Sequence, residues 1–343
     1  MSLQEFWFIL IGVLFTGYFV LEGFDFGVGM LMSILGKGSD TRRRVVLNTI
    51  GPVWDGNEVW LLTAGGAMFA AFPEWYASLF SGFYLALLLV LVALILRVCA
   101  IEYRSKIDDP RWRARCDLGI GIGSWIPALA WGWVFANVVR GVPMNEDNKI
   151  VGTAWDLLSP YALLGALTTG LLFLLHGAIF LNLKTGGEVR DDSMRIARWL
   201  LVPTAAVVGV FGVWTQLAYG TGWTWIPLGL AVVGLVVAGA AVLAHRDGWA
   251  FTGTTLAIGA ATVLLFGSLF PNVLPSTLDD AFSLTIDNAS STPYTLKVMS
   301  WAAIVVTPIV LGYQGWTYWV FRKRLTVEQI PGHIGLPLKP AGD

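Results

Sequence analysis

The chain has 343 residues, of which 56% are hydrophobic and 13% charged, with a mean hydropathy of +0.67 and a formal net charge of −1. A soluble domain carries about 25% charged residues, so this composition excludes a water-soluble globule, and the balanced charge gives no reason to expect a nucleic-acid partner. Apolar runs recur along the whole length, each near the roughly 20 residues that cross a bilayer as a helix, and the alternating pattern of a membrane barrel is absent. The fold class is therefore an all-α, polytopic membrane protein embedded in the lipid bilayer.

In chain order, the first helix is expected near 5–35. Its start, MSLQEFWFIL, has neither a basic region nor a small-residue cleavage site, so it reads as an uncleaved helix. Inside it, LEGFDFGVG carries Glu22 and Asp25, three residues apart in an apolar run. The second helix, near 52–72, opens on GPVWDGNEVWLL. Pro52 suits its first turn, where the missing N–H would be unpaired anyway, and Asp55 and Glu58 share one face by their spacing. Further helices are expected near 77–103, 116–140, 160–183, 196–219, 224–244, 249–270 and 295–321. Those nine helices form a single integral membrane domain over 1–343, arranged as two four-helix units plus one peripheral helix.

Basic residues fall on one side of this arrangement. Lys37 and Arg42 to Arg44 follow helix one, while Arg97, Arg104, Lys106, Arg111, Arg113 and Arg115 gather around the end of helix three. Lys184, Arg190, Arg195, Arg198, Arg246, Arg322, Lys323, Arg324 and Lys339 complete 19 of the 22 Lys and Arg. Only Arg140, Lys149 and Lys297 lie opposite. The positive-inside rule then puts the N-terminus outside and the C-terminus in the cytoplasm. Two longer outer loops, 141–159 and 271–294, read as a structured cap, and the tail from Leu325 as a short extension along the cytoplasmic face.

This orientation locates the acids. Asp55 and Glu58 lie roughly 5–10 Å into helix two, and Asp25 and Glu22 about 15 and 20 Å from the inner end of helix one. With a short connecting loop the four could form one cluster in the inner half of the membrane. The first two helices contain no cation to neutralise them. An acid at membrane depth costs about 2.5–3.5 kcal/mol on insertion scales, so it faces a partner or a wet cavity. A carboxyl that exchanges its proton near neutrality can serve a relay; the alternative is a set of hydrogen-bonded acids that tie helices together. The patterns Gly23-x-x-x-Gly27 and Gly119-x-x-x-Gly123 speak for close helix packing.

Redox ligands are scarce. The histidines are His176 in helix five, His245 at an inner helix end and His333 in the tail. Bis-histidine haem ligation needs two facing intramembrane histidines; a His176/Met68 pair is the alternative to a plain polar contact by His176. Cys99 and Cys116 belong to no metal or disulfide pattern.

Several stretches together are specific: GFDFGVGML (23–31), GPVWDGNEVWLLTAGGAMFAAFP (51–73), FSGFYLALLLVLVALILR (80–97), EYRSKIDDPRWR (102–113), GVPMN (141–145), PNVLPS (271–276) and LKVMSWAAIVVTPIVLGYQGW (296–316). On them the chain closely resembles subunit II of the cytochrome bd-type quinol oxidases, from the first helix to the last. The resemblance implies a haem-free subunit in the bacterial cell membrane, partnered by a subunit I that holds two b-type haems, one d-type haem and the quinol site. It implies quinol oxidation, reduction of O2 to water with protons from the cytoplasm, and a supporting role for subunit II that includes lining a proton route. Some members hold a structural quinone, for which no residue here can be mapped, and small accessory subunits belong to the same expectation. By motif match Asp25 and Asp55 are the family acids carried over; at Glu22 and Glu58 the resemblance does not demand an acid. The rival readings are an autonomous proton-coupled transporter, against which the one-sided acids speak, and a purely structural subunit.

Overall fold

The structure, a computed structural model, describes residues 1–153, 155–332, 335 and 336. His333 and Lys339 lie outside the described residues.

Helix α1, Leu3–Leu35, starts on a capping box in which the Ser2 hydroxyl accepts from the Glu5 N–H and the Glu5 carboxylate accepts from the Ser2 N–H. Every residue from Glu22 to Met32 is buried, so the second half of this helix is enclosed on all sides. It is the axis of the molecule. A turn through Gly38, at φ +75°, leads into α2, Asp40–Ile50, which the polar sequence had not suggested as a helix. Ser39 caps it by accepting from the Arg42 N–H at 3.2 Å, and Val45, Val46, Leu47 and Ile50 bury its apolar side.

Helix α3 spans Trp54–Ala71, α4 Pro73–Gly82 and α5 Tyr84–Tyr103. Residues 77–103, expected as one helix from their apolar run, are thus two. Phe83 (φ −99°, ψ 21°) leaves the helical geometry, and Gly82 packs so tightly on the Ile150 side chain that an added Cβ would meet Ile150 Cγ1 at 2.8 Å. Tertiary seating of the outer loop overrides local apolarity here. The chain continues through α6, Pro110–Arg140; α7, Pro160–Lys184; α8, Gly187–Ala218; α9, Trp225–Leu243; α10, Asp247–Leu269; and α11, Pro293–Val320. Helices α6 and α8 begin six and nine residues before their expected starts, at Pro110 and Gly187. Asp109 caps α6 by accepting from the Arg111 and Trp112 N–H groups, with Pro110 in the first turn. Among the described residues eight helices, α1 and α5 to α11, are long and apolar enough to cross a membrane. Helix α3 is not among them: Asp55, Asn57 and Glu58 dilute the apolarity of its 18 residues.

Helix α1 packs against α3, α6, α7 and α10; α5 packs on α6, α7 on α8, and α9 on α10. Contact between α1 and α7 depends on paired glycines. A Cβ on Gly27 would meet the Gly177 Cα at 2.7 Å, so the two backbones touch with no side chain between them. Helix α11 stands apart, leaning on α1 and α3, with Leu296 its one buried residue.

The two ends are tied by loops. At one end, residues 141–159 and 271–294 interlock: Val142 donates to the Pro275 carbonyl at 3.0 Å and accepts from the Thr277 N–H at 2.9 Å, beside the two-stranded pair β1, Asn272–Leu274, and β2, Leu284–Thr285. At the other, Arg104 is buried between Asp117 (2.5 Å) and Asp40 (2.8 Å), Arg113 reaches Asp40 and Asp108, and Asp247 takes both Arg190 and Arg324. Burial alone would lower the Arg104 guanidinium, but the bonds and charges of Asp117 and Asp40 outweigh it and hold it above its ordinary value. The tail straps this end together. Leu325 exchanges backbone bonds with Lys184 and Gly186, Arg44 donates to the Pro331 carbonyl at 2.6 Å, and Leu336 pairs with Lys106 and Asp108.

Candidate functional site

The four acids lie at different degrees of burial. Glu22 and Asp25 are fully buried in the enclosed half of α1, as their i, i+3 spacing among glycines and phenylalanines dictates. Asp55 is exposed in the first turn of α3, and Glu58 is half-buried one turn further along. Glu58 lines an apolar groove of about 580 Å³ between α3, α4 and α5, and lies within electrostatic reach of Glu22 on one side and Asp55 on the other. The arrangement is a series from exposed to buried: Asp55, Glu58, then the Glu22–Asp25 pair.

A cation does reach the buried acids. Arg97, which its position near the end of helix three assigned to the cytoplasmic basic group, is fully buried and forms an ion pair with Glu22. Its guanidinium also sits 5.0 Å from the centroid of the Phe26 ring. The cytoplasmic set therefore loses one member. Gly123 makes the placement workable, because a Cβ there would meet Arg97 Cβ at 2.5 Å and the Ala93 carbonyl at 2.6 Å. So the Gly119/Gly123 pattern serves packing, and that packing presses α5 onto α6 where Arg97 turns inward. A buried ion pair is costly to form and costlier to break, since removing one partner strands the other in a dry surrounding.

Asp25 has a different partner. Its Oδ2 accepts from the Asn57 side-chain amide at 2.7 Å. The Asn57 Oδ1 accepts from the Tyr318 hydroxyl at 2.6 Å and from the Gln314 amide at 3.3 Å, and the Gln314 Oε1 accepts from the Trp60 indole N–H at 2.7 Å. A polar chain thus runs from the peripheral α11 through α3 to the acid on α1. Arg97, Asn57, Gln314 and Tyr318 were not singled out from sequence. For Arg97 a signal existed: apolar residues flank it on both sides, ALIL before and VCAI after. For Gln314 and Tyr318 nothing local marks them, because their importance comes from where α11 leans.

His176 is buried with both ring nitrogens engaged: Nδ1 with Thr254 Oγ1 at 2.6 Å, Nε2 with the Val20 carbonyl at 3.1 Å, and the ring stacked on Phe251. The geometry is that of a polar tie between α1, α7 and α10, and Met68 is not among its partners. Among the described residues no group of three or more His, Cys, Asp or Glu side chains is arranged to hold a metal ion.

Fold and site together define a polytopic helical membrane protein whose interior carries an acid pair on its central helix, neutralised from one side and hydrogen-bonded from the other. The profile of the family "Cytochrome bd terminal oxidase subunit II" matches residues 3–321. The chain is 42% identical over 333 residues to cytochrome bd ubiquinol oxidase subunit 2 of Bacillus subtilis, covering 96% of this chain and 98% of that one. It is 37% identical to cytochrome bd-I ubiquinol oxidase subunit 2 of Escherichia coli, over 96% of each. In fold it is similar to a chain of the bd oxidase from Geobacillus thermodenitrificans, with a TM-score of 0.78 at 16% identity over 94% of this chain and 99% of that one. The chain belongs to the cytochrome bd terminal oxidase subunit II family. It is a membrane-embedded subunit of a bacterial quinol oxidase complex.

Proposed function

We propose that this chain is the haem-free subunit II of a cytochrome bd-type oxidase that oxidises quinol and reduces O2 to water. In this reading it stabilises a haem-bearing subunit I and contributes acids to proton uptake from the cytoplasm. The haems in that partner, two b-type and one d-type, supply the electron transfer and oxygen chemistry. What this chain supplies is proton handling, and the observation that carries the reading is the graded series Asp55, Glu58, Glu22–Asp25. An exposed acid at the helix entrance collects protons, a half-buried one passes them inward, and the buried pair holds them away from water. Domain and topology follow from the same reading. The chain is one membrane domain of nine spans, counting α3, whose 18 residues reach about 27 Å. The N-terminus lies outside and the C-terminus in the cytoplasm. Helix α11 leans on α1 and α3 as the peripheral helix, and α1, α3, α5 and α6 are read as one four-helix unit with α7 to α10 as the other.

A structural role competes most strongly for Glu22, one of whose carboxylate oxygens is ion-paired to the buried Arg97. The test is oxygen consumption by the intact complex carrying Asp55→Asn or Asp25→Asn, with haem content read from its absorption spectrum. Slowed turnover with full haem content supports proton delivery. Normal turnover removes that acid from the relay, and lost haem with lost assembly assigns it to structure.

A further inference from the structure

Each acid of the buried pair has one oxygen held and one without a protein donor. Glu22 Oε1 takes the Arg97 guanidinium and Asp25 Oδ2 takes the Asn57 amide, whereas Glu22 Oε2 and Asp25 Oδ1 are buried and unpartnered among the described donors. The two side chains are one turn apart on the same face of α1, which lets their two unpartnered oxygens turn towards each other for one hydrogen bond. Two ionised carboxylates cannot bond in this way, because both only accept; one proton makes one of them a donor. With Arg97 positive, the trio holding one such proton is also electrically neutral, which is what a dry interior favours.

The orientation of the neighbouring amides follows from one unambiguous donor. An indole N–H can only donate. Trp60 therefore requires the Gln314 oxygen, which turns the Gln314 NH2 towards Asn57 and requires the Asn57 oxygen there, to which the Tyr318 hydroxyl then donates. The Asn57 NH2 is left facing Asp25 and the Leu21 carbonyl. Asp25 Oδ2 is thus always met by a donor and has no room for a proton of its own. The other titratable groups around the pair are Tyr18 on α1, Glu58 on α3, Arg97 on α5 and Tyr318 on α11, with His176 of α7 bonded one turn away to Val20.

We infer that Glu22 and Asp25 share a single proton between Glu22 Oε2 and Asp25 Oδ1, and that Tyr318, Gln314 and Trp60 are positioning residues that keep it there by locking the Asn57 amide. The inference deepens the proton-uptake reading and rests on it only for its effect on turnover; the proton itself has a separate readout. That readout is infrared difference spectroscopy of the intact oxidase complex in H2O and D2O. A protonated-carboxyl band that shifts in D2O and is lost in both Asp25→Asn and Glu22→Gln is the shared proton. In the double variant Tyr318→Phe/Gln314→Leu the band moves, and turnover falls roughly tenfold, the scale of one hydrogen bond's net worth. Trp60→Phe, which removes only the donor that orients Gln314, moves the same band and serves where the double variant does not assemble. A band lost in one acid variant but not the other, no such band, or a band unmoved by the α11 and Trp60 variants overturns the inference. Normal turnover in Asp25→Asn, with the band behaving as described, contradicts the relay and leaves the shared proton standing.

Discussion

Arg97 and Glu22 sit together with no exposed surface on either side chain, and the consequence is asymmetric. Replacing Arg97 by Leu leaves a carboxyl stranded in the apolar interior and is expected to cost about 3–5 kcal/mol. The double change Glu22→Leu/Arg97→Leu removes both charges and is expected to recover most of that loss. Thermal unfolding of the three complexes checks this; equal losses in single and double variants would show that side-chain packing, not the ion pair, sets the cost. At this scale the sequence was informative about acids and poor about their partners. Glu22 and Asp25 stand out because a charge in an apolar run needs a reason. Arg97 stands out just as much, yet its position near a helix end places it with the cytoplasmic basic group. Only the tight α5–α6 approach at Gly123 turns it inward. Asn57, Gln314 and Tyr318 are ordinary polar residues until α11 brings them into line.

The elements tell a similar story of local signals overridden by tertiary contacts. Most helix cores were legible from apolar periodicity and length, including the long α1, α7, α9 and α10. The helix α2 was not, because a membrane reading looks for long apolar runs and Asp40–Ile50 is short and polar, although Ser39 offers a good cap. The break at Phe83 follows Ser81-Gly82 inside a largely apolar run, and Gly82 is seated against Ile150. The packing of α1 on α7 yields a sharp expectation. Gly27→Leu should abolish assembly of the complex, since even a Cβ has no room against Gly177, whereas Gly65→Ala, where a Cβ meets nothing within 4 Å, should assemble normally. Membrane yield and haem content read both, and a normal complex from Gly27→Leu would refute the close approach. The tail strap has its own test. Truncation after Arg324 removes the backbone pairs to Lys184, Gly186, Lys106 and Asp108. Protease cleavage within residues 104–109 should accelerate in the truncated chain, and an unchanged rate would show that the loop is held by its ion pairs alone.

For the molecule as a whole, the charge pattern and the fold meet in one orientation. The interlocked cap, 141–159 with 271–294, is acidic and lies at the end proposed to face outward, and the arginine-rich network around Arg104 lies at the end proposed to face the cytoplasm. Single cysteines placed at exposed sites, Lys149→Cys and Arg195→Cys, are expected to react with a membrane-impermeant thiol reagent from opposite sides of the cell membrane in a background without Cys99 and Cys116. Labelling of both from one side would remove the topology. The central claim concerns protons arriving through this subunit at metal centres held by its partner. It is tested most directly by oxygen consumption of the purified complex carrying Asp25→Asn. Turnover is expected to fall by at least roughly a hundredfold, as for a lost proton-transfer group, while the haem spectrum keeps full intensity. Undiminished turnover at full haem content would contradict it.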